Sequence, residues 1–188
     1  MITVDDLREH PLDQVHRLME PGPVILVTTQ QHGIPNVMTN GFNMMIRHVP
    51  PLIGCTIGPW DYSYSALRET GECVISIPDR ELAVAVVDIG NCSGQDVDKF
   101  QEFDLTPVAA QQVQAPLIAE CFANIECRVV DTTLVGTYDL FVLEAVRAWT
   151  DPSHPRLRML HHRGDGTFTC DGDAIDLKDR MHKWQYLL

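Results

Sequence analysis

The sequence predicts a mainly β protein, a closed or nearly closed antiparallel barrel with helices at its periphery. Three observations carry that reading. Strand patterns outnumber helical ones along the chain. Phe122 to Val130 alternates cleanly, with Ile125, Cys127 and Val129 on one face and Asn124, Glu126 and Arg128 on the other, the pattern of an antiparallel strand half buried on a core. Tyr138 to Trp149 is apolar on both faces, as a barrel wall under a second layer requires. At 188 residues, with no repeat, linker or low-complexity segment, the chain reads as one domain.

Taken in order, Leu12, Val15, Leu18 and Met19 sit at helical spacing, which predicts a short helix over 12–19 stopped by Pro21-Gly22. Val24 to Thr29 is an apolar strand ending in the turn signal His32-Gly33, and Leu52 to Ile57 is another, announced by Pro50-Pro51. Between them Thr39-Asn40-Gly41 forms a polar middle. Unpaired amides and hydroxyls are costly away from water, so this middle reaches solvent or meets a polar ligand. Trp60 to Ser65 leads into a helix ending at Gly71, where the hydroxyls can act as simple caps. Glu72 to Ile77 is a strand closed by Pro78. Asp79 is a candidate cap for a helix carrying Leu82, Ala85, Val86 and Ile89 on one face and stopped by Gly90. A turn at Asn91 to Gly94 precedes a short helix over about 96–102. Asp104 to Gln114 reads as loop, Thr132 to Gly136 as a turn, and Gly166 to Cys170 as a last short strand.

Bulk properties exclude several classes. A formal charge of −12 disfavours nucleic acid, whose phosphates are met by Lys and Arg clusters, and equally an anionic membrane surface. No apolar run reaches spanning length, and Met1 to Asp6 lacks the regions of a secretory signal. None of the six cysteines forms a Cys-x-x-Cys pair, and no His-x-x-x-His accompanies them, so no metal site is expected. Cys55, Cys73 and Cys127 lie in apolar strands as small hydrophobes. Reduced core thiols and a cytoplasmic location are the expectation. His161-His162 are adjacent on extended chain and point to opposite faces, so they read as surface or interface histidines. No Gly-x-Gly-x-x-Gly follows a strand, no Gly-x-Ser-x-Gly occurs, and no catalytic acid, base or nucleophile is nominated.

Five motifs then occur in a fixed order. They are Asn36-Val37-Met38-Thr39 with the patch Asn40 to Asn43 and then Pro50-Pro51-Leu52; Arg68-Glu69-Thr70-Gly71-Glu72; Ser93-Gly94-Gln95-Asp96-Val97-Asp98-Lys99-Phe100; Ala115-Pro116-Leu117-Ile118; and Asn124-Ile125-Glu126-Cys127-Arg128. Together they resemble the flavin reductase-like family, FMN-binding split barrels that include flavoredoxins and NAD(P)H:FMN oxidoreductases. The likeness covers about residues 20–149 and leaves 150–188 as a C-terminal extension.

The resemblance implies bound FMN, which would carry the redox chemistry. It implies that Met38, Thr39, Asn40 and Gly41 meet the pyrimidine edge and N5 side of the ring, and that Phe42 packs on the ring system. Asn36, Ser63, Ser93 and Lys99 would hold the ribityl phosphate end. From the residues alone, Ser63 reads as a cap and Lys99 as a surface charge paired with Asp96 or Asp98. Three departures stand out. Asp61 occupies a position where relatives carry a cation, Gln95 replaces an Arg, and Gly136-Thr137-Tyr138 stands where relatives place a His near the flavin, so Tyr138 takes that place here. The implied activity is electron transfer from NADH or NADPH through FMN to free flavin or another acceptor, in a homodimer. The alternatives are a flavoredoxin-like carrier reduced by a protein partner, and a binding protein that has lost flavin.

Overall fold

A computed structural model describes residues 3–15, 22–153 and 158–178. Its centre is an eight-stranded antiparallel sheet built from β1 (Arg8–His10), β2 (Ile25–Gln31), β3 (Ile34–Asn40), β4 (Asn43–Arg47), β5 (Leu52–Thr56), β6 (Glu72–Ile77), β9 (Ala123–Asp131) and β10 (Leu140–Thr150). The strand order is β3-β2-β6-β9-β10-β5-β4, and β1 joins β10 beyond the end of β5. The strands at the two ends of this order, β3 and β4, are consecutive in sequence and joined only by Gly41 and Phe42. Side chains bridge that seam where the ladder does not. The Asn40 amide donates to the Thr56 carbonyl at 2.8 Å, and the Asn43 amide donates to the Pro23 carbonyl at 3.0 Å.

The period-2 alternation of the strands sorts the core into clusters, two of which frame the site. Ile25, Val27, Ile53, Ile75, Ile125 and Phe141 fill the inner face of the sheet. Leu26 and Val37, on the opposite face, pack under α2 (Ala83–Asn91) and α3 (Lys99–Glu102) through Val86, Ile89 and Phe100. That double burial is why the β2 sequence reads as an unbroken apolar run. A third helix, α1 (Ser63–Thr70), ends at Gly71, whose φ of +67° closes the last turn with an N–H bond to Leu67.

Several elements differ from expectation. The predicted 104–114 loop contains β7 (Pro107–Val108), paired with β8 (Leu117–Ile118). This segment lies over the polar face of β9, so Asn124 and Glu126 are buried rather than solvated. Asn124 answers by bonding Ile118 through both its amide and its carbonyl. Tyr138 does not begin a strand. It closes a single helical turn, α4 (Val135–Tyr138), and the strand starts at Leu140 after Asp139 turns the chain at a φ of 54°. Asp79 caps no helix through its side chain; its carboxylate accepts from the Arg158 N–H at 3.1 Å and ties down the returning chain. That chain forms the hairpin of β11 (Leu160–His162) and β12 (Phe168–Cys170), docked by the Val24 N–H on the Leu160 carbonyl. Of the predicted 12–19 helix, Leu12–Gln14 is one 3₁₀ turn, and 16–19 lie outside the described residues. Among the described residues no helix is long and apolar enough to cross a membrane.

Candidate functional site

The site lies at β3. This strand pairs with β2 on one side and ends the sheet on the other. Asn36, Met38 and Thr39 all line a cleft of about 300 Å³. Met38 and Thr39 are consecutive, and consecutive strand residues point to opposite faces. A cavity touched by both therefore runs along the edge of the strand, where backbone N–H and C=O groups lack a neighbouring strand.

The opposite wall is built from three short segments: Trp60 to Tyr62, the end of α2 with Asn91 to Ser93, and Lys99. The first is set by a tight turn in which the Gly58 N–H donates to the Asp61 carboxylate at 2.8 Å and the Asp61 N–H donates to the Gly58 carbonyl at 2.9 Å. Asp61 thus closes its own turn and is not the cap of α1, whose N-cap is Tyr62 without a side-chain bond. The second segment depends on Gly94. A Cβ there would overlap the Asn36 carboxamide and the Tyr62 ring, so only glycine lets the chain pass this close to β3. Ser93 beside it accepts from the Gln95 N–H at 3.1 Å and lines the cleft.

Lys99 opens α3, where the Asp98 carboxylate caps the first N–H groups. The lysine is buried and pairs with neither Asp96 nor Asp98. Its ammonium donates to the Ile89 carbonyl at 2.8 Å, at the negative end of α2 where carbonyls lack helical partners. Burial pushes its pKa below the ordinary lysine range, while Cys92 and Asp61 nearby work in the opposite direction.

The remaining candidates are placed differently. Ser63 is only 1% exposed and sits behind Asn36, accepting from its amide at 2.8 Å and from the Thr29 hydroxyl at 3.4 Å. Asn40 spends its amide on the seam, and its Oδ1, like that of Asn43, is buried without a partner. Gly41 lines a neighbouring cavity that shares Thr39, Gly90 and Asn91 with the cleft. Phe42 and Tyr138 are 79% and 64% exposed and line neither. Trp60, Tyr62, Asn91 and Cys92 belong to the cleft but carried no sequence signal beyond adjacency to Ser63 and Ser93. No group of metal-ligating side chains occurs among the described residues. One buried cation, an unpaired strand edge and aromatic residues at one wall suit a flat ligand with an anionic end.

Comparison with known proteins points the same way. A family model described as "Flavin reductase like domain" matches residues 17–168. A protein of Archaeoglobus fulgidus is 40% identical over 110 residues, covering 58% of this chain and 62% of its own length. The reductase component of a Rhodococcus opacus 4-nitrophenol 4-monooxygenase/4-nitrocatechol 2-monooxygenase is 27% identical over 142 residues, or 75% of this chain and 71% of its own. Among solved structures, an FMN-binding domain of a flavin reductase-like enzyme from Shewanella baltica superposes with a TM-score of 0.84 at 23% identity, covering 90% of this chain and 96% of that one. The flavoredoxin of Desulfovibrio vulgaris gives 0.75 at 24% identity, covering 82% and 89%.

Proposed function

The chain belongs to the flavin reductase-like family, and from that premise we propose that it is an oxidoreductase holding FMN in the cleft along β3. Electrons enter from NADH or NADPH and leave to free flavin or another acceptor. The observation that carries this reading is Lys99: a buried ammonium with one carbonyl partner among the described residues and hydrogen-bonding capacity beyond it, lining a cleft bounded by a strand edge.

In this reading Lys99 and Ser93 hold the phosphate, and Asn36, oriented by Ser63, meets the ribityl chain. The edge of β3 from Met38 to Gly41 meets the ring, with Asn40 keeping the seam in place beside it. When bound, the flavin supplies the redox chemistry, and the protein supplies binding, orientation and electrostatics. Phe42 and Tyr138 serve the site from a homodimer, in which a second copy covers their exposed rings together with Met44 and Val49. The chain acts as one domain, in the cytoplasm.

The test is spectroscopic and then kinetic. Purified protein incubated with FMN and freed of excess is expected to keep a flavin spectrum and to oxidise NADH or NADPH in steady state. A protein that stays colourless overturns the reading. Bound FMN without turnover of either nucleotide replaces the reductase by a carrier reduced through a protein partner.

A further inference from the structure

The hairpin of β11 and β12 is not absorbed by the cofactor reading, yet it walls a second cavity of about 320 Å³, within the size range of small-molecule sites. Val24, Val86, Val87 and Phe168 give it an apolar lining. Two of its polar side chains are engaged: the Thr39 hydroxyl donates to the Val86 carbonyl at 2.5 Å, and His162 accepts from the Gly166 N–H at 3.2 Å. The His162 ring lies tilted against Phe168, with centroids 4.9 Å apart and planes at 33°, and both rings line the cavity. Among the described residues no Asp, Glu, Lys or Arg lines it. Gly41 and Gly166, neither of which would find an atom within 4 Å of an added Cβ, leave open space along the wall. The cavity shares Thr39, Gly90 and Asn91 with the cleft along β3, so a ring held here lies next to the proposed flavin.

The geometry points to this cavity as the site of the electron acceptor, an uncharged, flat conjugated ring of the quinone class. The assignment rests on the flavin reading above. A charged acceptor is disfavoured because an ion moved into this lining would find no counter-charge, whereas a flat ring stacks on Phe168 and His162. The reaction balances: a quinone becoming hydroquinone takes two electrons and two protons, and reduced FMN releases the same number on returning to the oxidised state.

Duroquinone and chloranilate, benzoquinones of similar size of which only the second is an anion, are the probes. Calorimetric titration of the oxidised FMN-loaded protein is expected to show duroquinone binding about tenfold or more tighter than chloranilate. Val87→Asp places a charge in the lining at a helix position that is already part exposed. It is expected to weaken duroquinone about tenfold and leave FMN affinity within about twofold. Equal affinity for the two probes, no duroquinone binding, or duroquinone binding unchanged by Val87→Asp overturns the assignment. The same titration on flavin-free protein separates the two readings. Failure to take up FMN with duroquinone still bound overturns the flavin reading and with it the acceptor role, leaving a ring-binding cavity, and FMN uptake without duroquinone binding overturns the acceptor site alone.

Discussion

Two charged side chains are buried to nearly the same depth in this protein and are used in opposite ways. Glu126 of β9 is 0% exposed, and its carboxylate accepts from the N–H groups of Gln111 and Gln112 and from the Trp149 indole at 2.8 Å. Lys99 of α3 is 5% exposed and has one hydrogen bond among the described residues, to the Ile89 carbonyl. A lysine ammonium has three donors. Glu126 is therefore saturated and acts as an anchor, tying the segment after β7 and the end of β10 to β9. Lys99 has capacity left over and lines a cavity, which suits it to receive an anion. Depth of burial does not separate structural from functional charge here; completeness of bonding does.

If that contrast is right, the two residues fail in different experiments. Glu126→Gln turns an amide towards donors that need an acceptor, and it is expected to lower unfolding stability by about 3 kcal/mol in denaturant titration. A loss under about 1 kcal/mol would remove Glu126 as an anchor. Lys99→Ala is expected to weaken FMN binding by about 2 kcal/mol in fluorescence titration, within the range for hydrogen bonds to charged groups. Riboflavin, which lacks the phosphate, should change little, and the fold should persist. Parent-like FMN affinity would make Lys99 a helix C-terminal cation and nothing more.

Asp61 sharpens the same point from the other sign. Asp61 lines the cleft and its negative charge acts on Lys99, so it would oppose a phosphate held there. Asp61→Arg is expected to tighten FMN by about 1 kcal/mol, a gain that shrinks as salt rises and is absent for riboflavin. It also removes the acceptor of the Gly58 N–H, so a modest loss of stability should accompany the gain. Equal gains for both flavins would place the phosphate elsewhere. The smallest expected effect is in pH. Lys99 attracts phosphate only while protonated, and burial lowers its pKa, so the attraction fades at lower pH than for an ordinary lysine. FMN affinity should fall with rising pH on the alkaline side more steeply than riboflavin affinity, and parallel curves for the two would assign the titration to another group.

The barrel strands were readable because alternation along one strand reports the layers on its two faces. β2 and β9 carried that information locally. The helix over about 96–102 was readable too, although it starts at Lys99, where the Asp98 carboxylate caps the N–H groups one turn on. What stayed hidden depends on contacts between distant segments. Glu126 read as a solvated strand residue because nothing in Asn124 to Arg128 tells that residues 107–118 will cover that face. Ser63 read as a cap, yet its partners Asn36 and Thr29 lie on β3 and β2. Asp61 stood out in the sequence as a carboxylate where relatives carry a cation, but its bond to Gly58 shows only in the folded turn. The cleft along β3 and the cavity under the C-terminal hairpin follow from strand order, because which strand ends a sheet is set by the pairing of residues far apart in sequence, and no local pattern encodes it.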